Sequence, residues 1–429
     1  MQEWFKKAKL GIFIHYGIYA VKGVSESWSF YHGGISYEDY MKQLEGFTAS
    51  KFDADYWAEL FKKSGARYSV LTSKHHDGVA LFDTKCSDLS VVKKSPAGKD
   101  ILGSYIEAVR KVGLKVGVYY SLLDWSHPDY ASVYPDWRVP QDLSSVNGYS
   151  SPTDGTQDRE AWQRFVEFDR AQLKEILSNY GKVDLLWFDG DWERNAEQWG
   201  LPEFKDYLKS FNEDLIINNR FAGYGDYLTP EQGIPVNRPK GVWEFCTTIN
   251  SSWGYQHRDN HYKSLRQIIH MFCDCLSMGG NLLLDIGPME DGTIDPRQEA
   301  VLLGLGEWIR ANEEAVYDSV AGIPANYYGD GSVLSEDGRT LYLFVHNRPR
   351  EAVCVKGLQN RVTRASILHS GRELRFDVHG GAPWADIPGI LWIYLTEEDC
   401  AEETTVVKLE LKDPVRLYEG GGAVITNNN

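Results

Sequence analysis

The sequence predicts an α/β protein, a (β/α)8-like barrel of the TIM type over residues 1–318 followed by a C-terminal antiparallel β-sandwich over 319–429. Three observations carry this reading. Short β-branched or aromatic runs alternate with longer helical patterns as far as about residue 318, the signature of parallel strands joined by crossover helices. Polar and aromatic residues stand at the C-terminal end of nearly every run; a barrel builds its binding face there all the way round, whereas an open doubly wound sheet, which fits the alternation equally well, uses mainly one crevice. Beyond 319 the long helical patterns stop and short alternating strands take over.

Seven barrel strands are legible: LGIFIHYG (10–17), YSVLTSKHHDG (68–78), KVGVYYSLLDW (115–125), VDLLWFDGD (183–191), LIINNRF (215–221), VWEFCTTI (242–249) and NLLLDIGP (281–288), so one strand of an eightfold barrel is expected to be missing or distorted. Amphipathic stretches such as DADYWAELFKKSG and DILGSYIEAVRKVG lie between them, most ending at glycine or a turn residue. The segment 126–158 is long and rich in Pro, Ser, Gly and Asp, and on the functional face of a barrel such a loop is expected to form a substrate wall or lid. After the boundary near DSVAGIPANYYGDG come TLYLFVHN, AVCVKG, RASILHSG, LRFDVHG, ILWIYLT and VVKLELK, whose regular spacing predicts the sandwich; the tail GGGAVITNNN reads as disordered.

Composition narrows the function classes. The 429 residues exceed what a single core sustains, so two domains are expected. A formal charge of −16 with scattered Lys and Arg disfavours nucleic acid and anionic lipid as partners. No run reaches the roughly 18 apolar residues of a membrane span. The N-terminal MQEWFKKAKLGIFIHYG has too short an apolar run and no small-residue cleavage site, so a cytoplasmic location is the expectation, with a secreted or periplasmic one if a signal has been removed. Cys86, Cys246, Cys273, Cys275, Cys354 and Cys400 are scattered and read as mostly buried thiols; Cys273 and Cys275, two apart on a helix, point away from each other.

Candidate chemistry gathers at the strand ends. Asp189 closes the apolar run LLWF and is followed by Gly190; it reads either as a turn-capping carboxylate or as a reactive one, with Trp187 on the same strand face. Asp191 shares that face and is an alternative reactive group. His75 and His76 are neighbours on the second strand and His15 lies on the first; they read as donors and acceptors to substrate hydroxyls, as a metal site, or as structural histidines. Adjacent strand residues alternate faces, which argues against paired metal ligands, and no metal or other cofactor is expected. Tyr120, Arg220, Glu231, Glu244 and Asp285 follow round the ring, each with an ordinary structural reading of its own. Two carboxylates at a wet, aromatic-lined mouth suit glycoside cleavage, one attacking the anomeric carbon and the other protonating the leaving oxygen.

The motifs KAKLGIFIHYG, SKHHDGVALFDTK, GVYYSLLDW, LLWFDGD, WEFCTTINSSWGY and GGNLLLDIGPMEDGTI, in this order, resemble those of the retaining α-L-fucosidases, family twenty-nine of the glycoside hydrolases, over essentially the whole barrel. The resemblance implies exo-acting hydrolysis of terminal α-L-fucose from glycans or oligosaccharides, with Asp189 as nucleophile of a covalent fucosyl-enzyme. It implies that His15, His75, His76, Tyr120, Trp187 and Arg220 grip the sugar and the nucleophile, and that Trp253 stacks near the C5 methyl. Trp28 resembles the Trp of a Glu-Trp pair lining the pocket, although here Ser27 separates it from Glu26. For the acid/base the resemblance favours Glu231, in DYLTPEQ, over Glu244. The implied partner is a fucosylated glycan or oligosaccharide.

Overall fold

The computed structural model describes residues 2–130 and 159–422. The predicted wall or lid therefore lies, from 131 to 158, outside the described residues, as does the tail from 423. Two compact units are present, the first comprising Met1–Gly233, Lys240–Tyr262 and Leu282–Leu303, the second Ile234–Pro239, Lys263–Asn281 and Gly304–Asn429.

The first unit is built on seven strands, β1 (Leu10–Ile14), β2 (Tyr68–Lys74), β3 (Lys115–Ser121), β4 (Leu185–Asp189), β5 (Ile216–Ile217), β6 (Glu244–Thr248) and β7 (Asn281–Ile286), in one curled sheet of order β5-β4-β3-β2-β1-β7-β6. The pairings β1/β2, β1/β7, β2/β3, β3/β4 and β4/β5 are parallel, as the alternation predicts. Nearly every strand residue is buried, because one face looks into the barrel and the other onto helices. Phe13, Tyr68, Val70, Tyr119, Leu185, Trp187, Ile216, Tyr227, Cys246 and Leu283 fill the interior as one cluster. Gly11 is what lets the Tyr68 ring cross β1, since a Cβ there would lie 2.3 Å from that ring.

The missing eighth strand has a substitute. Residues 226–232 run between the β5 and β6 edges, bridging Asn218 with Tyr227, Leu228 with Trp243 and Glu231 with Cys246. Leu228 N–H donates to Val242 O (3.0 Å), and Cys246 N–H to Pro230 O (3.0 Å). Pro230 offers no N–H and Gln232 has φ +56°, so the segment pairs without becoming a regular strand. It delivers Glu231 to the rim.

Helices cover the outside through ordinary capping and periodicity. Asp53 accepts from Tyr56 N–H (3.0 Å) at the start of helix Ala54–Lys63, which buries Trp57, Ala58, Leu60 and Phe61. Asp100 does the same for helix Ile101–Lys111 through Gly103 N–H (2.7 Å). At about 1.5–3 kcal/mol for each large apolar side chain buried, these faces contribute far more than the caps.

The second unit carries β8 (Ser319–Ala321), β9 (Ser332–Ser335), β10 (Thr340–Val345), β11 (Ala352–Val355), β12 (Val362–Ile367), β13 (Phe376–His379), β14 (Ile390–Tyr394) and β15 (Thr405–Leu411). They form two antiparallel sheets, β12-β15-β10-β9-β8 and β11-β14-β13, around a core that includes Leu341, Leu343, Val355, Ile393, Val407 and Leu409. Strands β8 and β9, three and four residues long, precede the first alternating run read from the sequence. All six cysteines are free; Cys246, Cys273 and Cys275 are buried, whereas Cys86, Cys354 and Cys400 are only half-buried.

Candidate active site

Strand register decides which side chains face the barrel mouth. Tyr119 pairs with Trp187 and Ser121 with Asp189 across β3 and β4, so these alternate residues share one face. Asp189 is the last residue of β4, and the chain turns at Gly190 with φ +83°, where a Cβ would sit 2.5 Å from Leu123 Cγ. The carboxyl is thus held at the sheet's end with its side chain only 13% exposed.

Three groups surround that carboxyl. Arg220 Nη1 donates to Oδ1 (2.9 Å), the Tyr119 hydroxyl donates to Oδ2 (3.2 Å), and His76 Nε2 lies 3.7 Å from Oδ2. The other arm of the same guanidinium, Nη2, donates to Glu231 Oε2 (2.5 Å), while Nε donates to Thr229 Oγ1 (3.2 Å). Arg220 also lies over the Trp187 ring, its Cζ 4.5 Å from the centroid. One rigid fork therefore grips both carboxylates and stands on an aromatic plate.

The histidines are fixed by their second nitrogens. His15 Nδ1 lies 2.7 Å from Asp285 Oδ1 and His75 Nδ1 lies 2.5 Å from Ser27 Oγ. Ser121 spends its proton on Leu123 O (2.6 Å), so His76 Nδ1, 2.6 Å from Ser121 Oγ, is the donor in that pair and Nε2 keeps a lone pair on the side of Asp189. Burial, chiefly, drives His15 and His75 well below the usual imidazole range and His76 down to about 3, with Lys74 adding to the last. Near neutrality all three are uncharged rings with hydrogen-bonding capacity. Among the described residues, no three or more His, Cys, Asp or Glu side chains converge as metal ligands do.

A cavity of about 450 Å³ opens at this end of the barrel, lined by Phe13, His15, Glu26, Trp28, His75, Tyr119, Trp187, Asp189, Asp191, Trp192, Arg220, Glu231 and Trp253. Its size is at the compact end of small-molecule sites. The structure thus brings together His15, Trp28, His75, Trp187, Asp189, Arg220, Glu231 and Trp253, and sets His76 immediately behind Asp189. Tyr120 does not join them. Its hydroxyl donates to Asp169 Oδ1 (2.6 Å) and meets Gln172 Oε1 (2.9 Å) in the layer between sheet and helix Arg159–Asn179. The correction is one of parity: Tyr119 holds the inward position, and the two-residue period of a strand turns Tyr120 away.

Glu244, the other acid/base candidate, is also placed elsewhere. It is fully buried in the barrel interior, accepting from the Tyr68 hydroxyl, Trp187 Nε1 (2.9 Å) and the Tyr227 hydroxyl (3.4 Å). Burial lifts it to about 7. Asp191, the alternative to Asp189, lines the wall but spends Oδ2 on Ala222 N–H (2.7 Å), and burial raises it too.

Sequence reasoning missed Tyr119, Phe13 and Trp192 outright, and left Glu26 in doubt. Glu26 has φ +24°, a rare conformation that turns its carboxyl inward despite the intervening Ser27. Its Oε1 accepts from Gly254 N–H (2.7 Å), and burial lifts it to about 7. Tyr119 is found only through the register of β3 against β4, which pairs it with Trp187, and nothing local signals the turn at Glu26.

The two tyrosines make a direct comparison. Tyr119→Phe removes a hydrogen bond to a carboxylate, worth about 1.5–3 kcal/mol, and should lower kcat/KM by about tenfold or more. Tyr120→Phe should instead destabilise the fold by about 1–3 kcal/mol, since it strips a donor from buried Asp169. Steady-state kinetics and urea denaturation of both variants check the assignment; a larger kinetic loss in Tyr120→Phe would reverse it.

Comparison with known proteins bears on what this geometry does. A sequence profile described as alpha-L-fucosidase matches residues 1–314. The chain is 32% identical to tissue alpha-L-fucosidase of Mus musculus over 351 residues, 74% of this chain and 72% of that protein. It is 30% identical to alpha-L-fucosidase of Dictyostelium discoideum over 405 residues, 85% and 82% of the two chains. Among solved structures it is similar to alpha-L-fucosidase isoenzyme 1 from Paenibacillus thiaminolyticus, at 32% identity and TM-score 0.84 over 96% of this chain and 98% of that one. It is also similar to a Bacteroides thetaiotaomicron alpha-L-fucosidase trapped as a covalent intermediate in complex with 2-fluoro-fucosyl fluoride, at 26% identity and TM-score 0.79 over 95% of each chain.

Proposed function

This chain belongs to the alpha-L-fucosidase family and is a glycoside hydrolase, and from that premise we propose that it removes terminal α-L-fucose from glycans by a double displacement with net retention. One observation carries the proposal: Arg220 grips Asp189 and Glu231 with the two arms of a single guanidinium. That pairing suits the short carboxyl separation of retaining enzymes, about 5–5.5 Å, better than the gap of about 6.5–9.5 Å that inverting enzymes leave for a water.

In the first step Asp189 attacks C1 of fucose, the bond from C1 to the leaving oxygen breaks, and Glu231 gives that oxygen its proton. In the second, a water attacks C1, Glu231 takes the water's proton, and the ester to Asp189 breaks. Tyr119 and Arg220 orient the nucleophile throughout, the neutral His15 and His75 on the cavity wall meet sugar hydroxyls without competing for the negative charge, and the neutral His76 backs Asp189 from behind. A deep wall of His15, His75, Glu26 and Tyr119, all nearly inaccessible, closes the inner end of the cavity and suits a single terminal sugar. Trp253, ring to ring with Phe13 (6.0 Å) and His15 (5.0 Å), supplies an apolar surface for a deoxy carbon. The relative trapped as a covalent intermediate supports the same route.

Proton NMR of the first-released product tests the stereochemistry. α-L-Fucose should accumulate first and then mutarotate; initial release of the β anomer would exclude double displacement.

A further inference from the structure

We propose that Trp192, steadied by Trp28, forms a leaving-group subsite at the cavity mouth that takes the sugar ring to which fucose is attached; the proposal rests on the fucosidase reading above and deepens it. The cavity has a gradient of exposure. His15, His75, Glu26, Tyr119 and Trp187 at the inner end are at most 6% exposed, whereas the Glu231 side chain is 37% exposed and the Trp28, Trp192 and Trp253 rings are half-buried. The terminal sugar occupies the closed end, so the bond to be broken and everything beyond it lie toward the open one. Trp253 packs back on Phe13 and His15 at the inner end, which leaves Trp28 and Trp192 as the aromatic surface that faces the leaving group.

Trp192 is well placed for this. It follows Asp189 by three residues, on the 3-10 turn Asp191–Glu193, so it is tied to the nucleophile's own turn. Its ring lies nearly parallel to that of Trp28 (6.2 Å between centroids, 16° between planes) and edge-on to His76 (5.8 Å). Trp28 is itself fixed by parallel His32 (5.4 Å, 17°) and by the edges of Tyr31 and Trp125. Such offset and edge-on packing immobilises the rings before a ligand arrives. The indole face can then stack on the apolar C–H face of a pyranose at little cost in side-chain entropy. The ring carries no group that the two-step chemistry uses, and its half-buried place in the cavity lining suits recognition.

The test compares leaving groups rather than absolute rates. The quantity is kcat/KM, which reports only the steps through loss of the leaving group, for α-L-fucosyl fluoride and for the best substrate among α1,2-, α1,3-, α1,4- and α1,6-linked fucosyl disaccharides. Fluoride presents no ring to Trp192. In Trp192→Ala, the disaccharide-to-fluoride ratio of kcat/KM should fall about tenfold or more relative to wild type, the scale of a lost apolar contact, and Trp192→Phe should recover most of it. An unchanged ratio in either a soluble Ala variant or, if that fails to fold, a Trp192→Gly or Trp192→Ser variant would overturn the subsite. So would a wild-type protein that cleaves the fluoride but none of the disaccharides. A wild-type protein inert toward all of them would instead overturn the fucosidase reading itself, and the subsite with it.

Discussion

Asp189→Gly is expected to reduce turnover of 4-nitrophenyl α-L-fucoside by on the order of 10⁴-fold or more, because no neighbouring carboxylate can take over the attack on C1. Asp191 is committed to Ala222 N–H, Glu26 to Gly254 N–H, and Glu231 to the opposite arm of Arg220. Truncation to glycine also opens a space beside the anomeric carbon, next to the arm of Arg220 that has lost its carboxylate. Added azide should enter that space and restore release of nitrophenol with formation of β-L-fucosyl azide. An Asp189→Gly protein with normal activity, or one rescued to the α azide, would remove Asp189 as nucleophile.

Replacing Glu231 separates the two acid/base candidates. Glu231→Gln should lower kcat/KM by about 10²–10⁴-fold for sugar leaving groups, which need a proton, and far less for fluoride. Glu244→Gln should act on stability instead. Its folded value of about 7 lies above the ordinary 4.5, so the native state binds the extra proton; the stability this supplies is full below about pH 4.5 and is lost as pH rises through 7. The Gln variant lacks that titration, so its urea midpoint should fall less than that of wild type between pH 5 and pH 8. A loss of kcat/KM confined to sugar leaving groups in Glu244→Gln and absent from Glu231→Gln would exchange the two roles.

The barrel was readable because its signals are local. Seven apolar runs alternating with capped amphipathic helices recur at spacings that only a parallel crossover fold uses, and β1 to β7 fall within those runs. The eighth position was not readable, since residues 226–232 pair through isolated bridges around a proline and have no strand periodicity. Tyr120 was misassigned for a different reason: GVYYS carries two adjacent tyrosines, and choosing between them needs the register of β3 against β4.

By itself, then, the sequence determined the order of the strands, the apolar run that ends at Asp189, and the set of polar and aromatic residues at the strand ends. Tertiary structure alone decided which of them meet. Arg220 joins Asp189 to Glu231 because an irregular segment closes the barrel beside β6, and Glu244 sinks into the interior two residues before Cys246, which neighbours Glu231 on that strand. The physical reason is that a residue's type and spacing are properties of its own segment, whereas the direction its carboxyl faces, toward solvent or toward buried hydroxyls, depends on neighbours remote along the chain.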